Sequence, residues 1–398
     1  MYPRKIYKEL KKHLAKKEIT VLTGMRRTGK TTLVKLLLSE LQSSNKIYVD
    51  LQVLANQDIF SARNFDAIIE LLKRKGLDFS RKAYIALDEI QLVKTIPGVL
   101  KYLYDAYDIK FIITGSSSYY LKNLFTESLA GRKKLFELFP LDFGEFLVFK
   151  NIKAKTANRV RNNSVLFSQN IQKAEYSWLH PYYDEFVEFG GFPQVVLAKT
   201  EKDKTDALNE LLSSYVNLDV SSLADFANRQ SAFTLIKMLA SRAGSKLDYS
   251  KISRLSGLSR PSVKNYIELF EGTYLISRIP VFSKNADREI VKAKKLYFCD
   301  SGLLGILADV GSGAKFENAL YAQLRQRGAI SYFSLKSGKE IDFILDEKQA
   351  FEAKETPGET DRNTLSNLAE MAGIKKYRLV GKYLSPGFDG YLWGGSVQ

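Results

Sequence analysis

The stretch Gly24-Met25-Arg26-Arg27-Thr28-Gly29-Lys30-Thr31 leaves this chain few ways to fold. It satisfies GxxxxGK(S/T), follows the apolar run 19–23 directly, and opens a helix-favouring stretch through Thr31 and Thr32. Such a loop functions only between a strand and a helix. Its glycines let the backbone curl until the amides face phosphate oxygens, and the helix N-terminus adds its dipole. Residues Gly24, Met25, Arg26, Arg27, Thr28, Gly29, Lys30, Thr31 and Thr32 then form a phosphate cradle. Lys30 reaches the terminal phosphates and the Thr31 hydroxyl ligates magnesium, so the implied ligands are ATP and Mg2+.

The sequence beyond the loop fits that frame. Short apolar runs at 19–23, 47–51, 83–87 and 110–114 alternate with amphipathic stretches at 31–41, 65–73 and 99–106, the pattern of a buried parallel sheet with helical crossovers. The third run, Ala83-Tyr84-Ile85-Ala86-Leu87-Asp88-Glu89, ends in two acids. Asp88 is expected to hold magnesium through its water shell, and Glu89 to orient and polarise the attacking water. The fourth, Phe111-Ile112-Ile113-Thr114-Gly115-Ser116-Ser117, ends in hydroxyls. Ser116 either helps place that water or caps the helix that follows. Arg132, just past this core, either stabilises charge on the transferred phosphoryl group, acting from a neighbouring subunit of a homo-oligomer, or is a surface arginine.

Composition narrows the rest. The 398 residues hold 60 Lys and Arg against 44 Asp and Glu, a formal charge of +16 that favours an anionic partner such as nucleic acid or an acidic membrane surface, or marks a merely soluble basic protein. Cys299 is the only cysteine, so no intrachain disulfide or cysteine-rich zinc site is available, and a reducing cytoplasm fits. His13 and His180 are the only histidines, too few for a multi-imidazole metal site or a Ser-His-Asp machine. Neither a signal peptide nor an apolar run long enough to span a bilayer is expected. Residues 151–164, with Lys153, Lys155, Arg159 and Arg161, read as an exposed basic loop.

Further along, Leu247 to Ser259 reads as a helix closed by a turn at Gly257, and Ser259 and Pro261 mark the start of a second helix. Val263, Ile267 and Phe270 recur at helical spacing and should face inward, leaving Arg260, Ser262, Lys264 and Asn265 outside. That is the arrangement of a helix-turn-helix reading a major groove, and between Lys246 and Lys264 five basic residues stand against Asp248. The alternative is a module that packs against protein.

Taken together, the Gly24 loop, Leu87-Asp88-Glu89, Thr114-Gly115-Ser116-Ser117, Gly131-Arg132 and Phe139-Pro140-Leu141 resemble the prokaryotic AAA+ family ATPases that carry an uncharacterised C-terminal domain. Gly190-Gly191-Phe192-Pro193, the run from Tyr297 to Leu303, and Phe316-Glu317-Asn318 extend the resemblance over nearly the whole chain. It implies a multidomain α/β protein: a P-loop AAA-type ATPase core with a parallel sheet (1–145), a basic loop and helical section (146–235), a winged helix (236–290), and a restriction-endonuclease-like α/β domain (291–398). The 151–164 segment matches no motif of the family.

In the last region Glu317, Asp342, Glu352 and Lys354 stand in the order of a PD-(D/E)XK nuclease centre. Glu352 and Lys354, two apart on a strand, share a face, and a hairpin through residues 346–349 would bring Asp342 to them. Carboxylates gathered in this way bind magnesium, and Lys354 would activate water for attack on a phosphodiester. Ordinary charges on an exposed hairpin would give the same string. The functions expected are therefore a DNA-associated ATPase whose nucleotide state controls the winged helix and nuclease-like domain, or a nucleotide-gated binding switch with an inactive C-terminal domain. A small-molecule kinase is weakened by the polymer-binding look of the chain past the core.

Overall fold

The computed structural model describes residues 2–61, 64–116, 129, 131–152, 173–221, 228–283 and 292–397. Residues 153–164 of the basic loop and Ser117 lie outside the described residues. The chain divides into two compact units, one of Arg4–Phe139 with Gly272–Tyr274, the other of Met1–Pro3, Pro140–Glu271 and Leu275–Gln398.

In the first unit five parallel strands, β1 (Ile19–Thr23), β2 (Lys46–Asp50), β3 (Ala83–Asp88), β4 (Ile109–Gly115) and β5 (Lys133–Glu137), lie in the order β2-β3-β4-β1-β5. β1 and β4 are buried along their whole length, which is why they read as continuous apolar runs. Alternation sends Ile19, Val21, Phe111 and Ile113 to one face and Leu22 and Ile112 to the other. Helices α3 (Leu54–Ser61), α4 (Phe65–Arg74) and α5 (Ile96–Ala106) cover the first face through Phe60, Ile68, Leu72, Leu100 and Leu103. Helices α1 (Tyr7–His13) and α2 (Lys30–Glu40) cover the second through Leu10, Leu33, Val34 and Leu37. Each such side chain contributes about 1.5–3 kcal/mol by leaving water. The strand order sets the ends of β1 and β3 on either side of the end of β4, and so fixes what surrounds the phosphate loop.

The second unit begins with helix Phe143–Phe149, and among the described residues helices Lys173–Phe189, Pro193–Leu197 and Glu201–Ser214 come next. Helices Arg229–Ala240, Tyr249–Ser256 and Arg260–Gly272 follow, and then an antiparallel pair, β6 (Ile276–Ile279) with β7 (Lys295–Phe298). The last sheet runs β12-β11-β10-β9-β8, with β8 (Ile330–Ser334), β9 (Glu340–Leu345) and β10 (Gln349–Lys354) antiparallel, and β11 (Lys376–Gly381) and β12 (Leu392–Trp393) parallel to β10. Phe316 and Leu320 of helix Ser312–Arg325 pack with Phe343 and Phe351 on one face. On the other face Leu365 and Ala369 of helix Glu359–Ala372 pack with Ile341 and Ile344.

Three motifs from the sequence meet inside this unit as structure. The buried Asp300 carboxylate accepts hydrogen bonds from the amides of Gly191 (2.7 Å), Gly302 (2.9 Å) and Leu303 (3.1 Å). A Cβ at Gly190 would stand 2.0 Å from Asp300 Oδ1, so the close approach requires glycine. Asn318 grips β7 with both ends of its amide, accepting from Phe298 N (2.8 Å) and donating to Phe298 O (3.1 Å). Among the described residues no helix is long and apolar enough to cross a membrane.

Candidate functional site

The phosphate loop leaves β1 at Gly24, whose φ of +149° and whose missing Cβ, which would fall 2.1 Å from Leu138 O, admit only glycine. The turn back into α2 is made by Arg27 (φ +65°) and by Gly29 (φ +100°), the cap of that helix. Lys30 is buried and folds over the loop, donating to the carbonyls of Gly24 (2.9 Å) and Met25 (3.0 Å). Thr28 Oγ1 donates to Met25 O (2.9 Å). Arg4, which carries no motif signal, braces the same loop by donating to Thr28 O and Phe139 O, each at 2.8 Å.

Asp88 ends β3 and is 3% exposed. Its carboxylate accepts from Thr31 Oγ1 (2.7 Å), from Tyr48 OH (2.6 Å) and from Thr114 Oγ1. Burial and the Asp88 carboxylate drive the Tyr48 phenol well above its ordinary pKa, so it stays a donor. Glu89 turns abruptly off the strand with φ +55°, a conformation that costs a non-glycine residue energy and concentrates at functional sites. Two contacts hold it: its amide donates to Thr114 Oγ1 (3.1 Å), and Gln91 Nε2 donates to its carboxylate and to Ser116 Oγ (3.0 Å). Ser116, at the end of β4, therefore joins the acids, and the helix it was alternatively expected to cap falls outside the described residues. Thr31 and Asp88 provide oxygen donors of the kind magnesium takes and stand together, so they fit that ion, which would neutralise phosphate charge when bound. Tyr48 and Thr114 join the site through the strand order, whereas Gln91 meets Glu89 from the turn two residues on; neither Tyr48 nor Gln91 carries a motif signal of its own.

Arg132 stands apart. Ile19 N donates to its carbonyl (2.8 Å), so it lies at the start of β1, roughly 17 Å from the loop at about 3.3 Å per residue. Its guanidinium pairs with Asp105 at 3.0 and 3.2 Å. It does not belong to the phosphate cluster of its own chain.

In the helix pair, Val263, Ile267 and Phe270 are buried, while Arg260, Lys264 and Asn265 are exposed and Ser262 is half-buried against Ser259 (Oγ to Oγ 2.8 Å). The Lys264 amine is 3.9 Å from Glu268 on the next turn.

In the last sheet the β9–β10 hairpin turns through Asp346 (φ +48°) and Glu347 (φ +57°). Asp342 N donates to Glu352 Oε2 (3.2 Å), Ala353 N donates to Asp342 Oδ2 (3.0 Å), and Lys354 donates to Glu352 Oε1 (2.9 Å). Glu317 accepts from Tyr297 OH (2.6 Å). Burial first, and then repulsion from Asp342, lifts Glu317 to about 7 and Glu352 to about 8. The four residues thus share one neighbourhood. A lysine the sequence did not single out enters it as well: Lys295, whose amine is 2.7 Å from Glu340 Oε1 and 3.6 Å from Asp342 Oδ1. Among the described residues no group of three or more His, Cys, Asp or Glu is disposed to hold a metal ion. The expected magnesium set does not fit this geometry, because the Lys295 ammonium stands against Glu340 and Asp342 and that of Lys354 against Glu352.

Comparison with known proteins matches two stretches of the chain. Residues 16–147 match the family model described as AAA domain, and residues 180–314 match a domain of unknown function (DUF8612). The first match, on this geometry, supports an AAA-type ATPase. An uncharacterised protein of Haemophilus influenzae is 28% identical over 386 residues, covering 92% of this chain and 89% of its own. Another, of Methanocaldococcus jannaschii, is 28% identical over 350 residues, covering 85% and 75%. Among solved structures, C. elegans PCH-2 aligns with a TM-score of 0.30 at 13% identity, covering 69% of this chain and 70% of its own.

Proposed function

We propose that this protein binds ATP with magnesium on the Gly24–Thr32 loop and hydrolyses it, and that its nucleotide state controls a DNA-binding winged helix. One observation carries the hydrolytic part. Glu89 is held in a strained turn beside Asp88, with Gln91 and Ser116 on its carboxylate side, which is where a residue that orients attacking water is needed. Lys30 would meet the phosphate charge once it exchanges its two loop carbonyls for phosphate oxygens. Arg132 enters this reading only as a residue acting on the nucleotide of a neighbouring subunit, since it lies at the far end of β1 from its own loop.

The DNA part rests on the exposed face of helix Arg260–Gly272, where Arg260, Lys264 and Asn265 point outward and Ser262 lies at the edge. The antiparallel β6–β7 pair after that helix suits a wing. For the C-terminal sheet, its mixed strand order between two helices agrees with an endonuclease-like fold, and the ion pairs favour a binding domain over a cleaving one. The protein would work in the cytoplasm, as its single buried cysteine suits.

ATP turnover with and without DNA, on four proteins, tests this reading. Lys30→Ala is expected to abolish nucleotide binding, and Glu89→Gln to keep binding while losing about 10²–10⁴ in turnover. Arg260→Glu with Lys264→Glu should abolish stimulation by DNA and reduce the salt slope of DNA binding by about 0.9 per lost phosphate contact. Parental turnover by Glu89→Gln would overturn the assignment of Glu89 as the acid that orients the attacking water. An unchanged salt slope would make the helix pair a packing module.

A further inference from the structure

We propose that the ammonium of Lys295 is the resident cation of the Glu317, Glu340 and Asp342 carboxylates, so that this face of the C-terminal sheet takes no divalent metal. Lys295 opens β7, and its side chain is 2% exposed. Alternation on β9 sends Glu340 and Asp342 to one face, and the amine lies between them at 2.7 Å and 3.6 Å. Tyr297, two residues along β7, points the same way and donates to Glu317 at 2.6 Å. One strand thus supplies both donors to carboxylates that come from β9 and from helix Ser312–Arg325.

The outer members are met as well: Lys246 stands 3.3 Å from Glu340, and Lys354 holds Glu352 at 2.9 Å. Nearly buried, the Lys295 amine has the Glu340 and Asp342 carboxylates beside it to meet its charge. A magnesium or calcium ion needs several of these oxygens at roughly 2.0–2.6 Å. A tethered ammonium facing the same oxygens occupies that position and repels a second cation. It also needs no association step, whereas a free ion gives up translational freedom to bind.

Counting Mn2+ bound to the full-length, nucleotide-free protein by EPR tests the proposal apart from the ATPase reading, because no nucleotide or turnover is involved. Wild type and Asp342→Asn are expected to bind the same number of ions. Lys295→Met should gain one Mn2+ per chain, and the Lys295→Met/Asp342→Asn double variant should lose it again. A wild type that binds one more ion than Asp342→Asn overturns the proposal. So does a Lys295→Met variant, folded by circular dichroism, that gains none. Should Lys295→Met fail to fold, the wild type against Asp342→Asn comparison decides alone.

Discussion

Asp88 and Asp342 are both nearly buried aspartates, each beside a second acid, but their surroundings differ. Asp88 accepts from three hydroxyls, those of Thr31, Tyr48 and Thr114. Asp342 faces the Lys295 ammonium and the Ala353 amide. Hydroxyls orient a carboxylate without bringing a positive charge of their own, which on the proposed reading leaves Asp88 to hold a cation arriving with a nucleotide. An ammonium brings its own positive charge to the carboxylates and offsets part of theirs. Carboxylates in the right order therefore do not decide a metal site; the charge of their donors does.

The contrast is tested most severely by removing one group from each site. Asp88→Asn should lower ATP turnover by about 10²–10³ while shifting the melting temperature little, since the amide oxygen can still accept from Thr31 and Tyr48 and the NH2 can donate to the Thr114 hydroxyl. Lys295→Met should instead lose about 3–5 kcal/mol in urea unfolding, because it strands buried carboxylates, and Mn2+ should restore part of that loss. A larger stability loss for Asp88→Asn than for Lys295→Met would break the comparison. Next, Tyr48→Phe removes a hydrogen bond to a charged acceptor, a contribution of about 1.5–3 kcal/mol, and should reduce kcat/KM for ATP about tenfold. A change under twofold would take Tyr48 out of the site.

The smallest effect is in pH. Glu317 and Glu352 have folded pKa values of about 7 and about 8, raised from 4.5 first by burial and then by Asp342. The folded state therefore binds more protons than the unfolded chain between about pH 4.5 and 8, and stability falls as pH rises through that window. Glu352→Gln should flatten this decline and melt a few degrees above wild type at pH 9. Parallel melting curves from pH 5 to 9 would mean that these carboxyls are not held in repulsion.

The alternating architecture of the first unit was legible because its strands are buried on both faces. β1, β3 and β4 appear as largely apolar runs whose ends fall within two residues of those expected. β5 was missed, being an edge strand of largely exposed residues, Lys133 to Glu137, with only Phe136 buried. The Asp342–Glu352–Lys354 group could be anticipated because strand alternation and a short hairpin fix it locally. Lys295 could not, since it reaches that group from β7, 47 residues before Asp342 in the chain.

By itself the sequence determined the phosphate loop, the acid pair at Asp88 and Glu89, and the helix pair around Gly257, because each is specified by neighbours a few residues apart. The tertiary structure alone decided the rest. It set Tyr48 and Thr114 around the acids, and Ser116 against Gln91, through the order of the strands. It put Arg132 at the opposite end of β1 from the loop. And it placed an ammonium among the C-terminal carboxylates. The physical reason is that a side chain's charge and hydrogen-bonding capacity are written in the sequence, whereas its function depends on which distant groups meet it, and that is set only when the sheets pair and bury it.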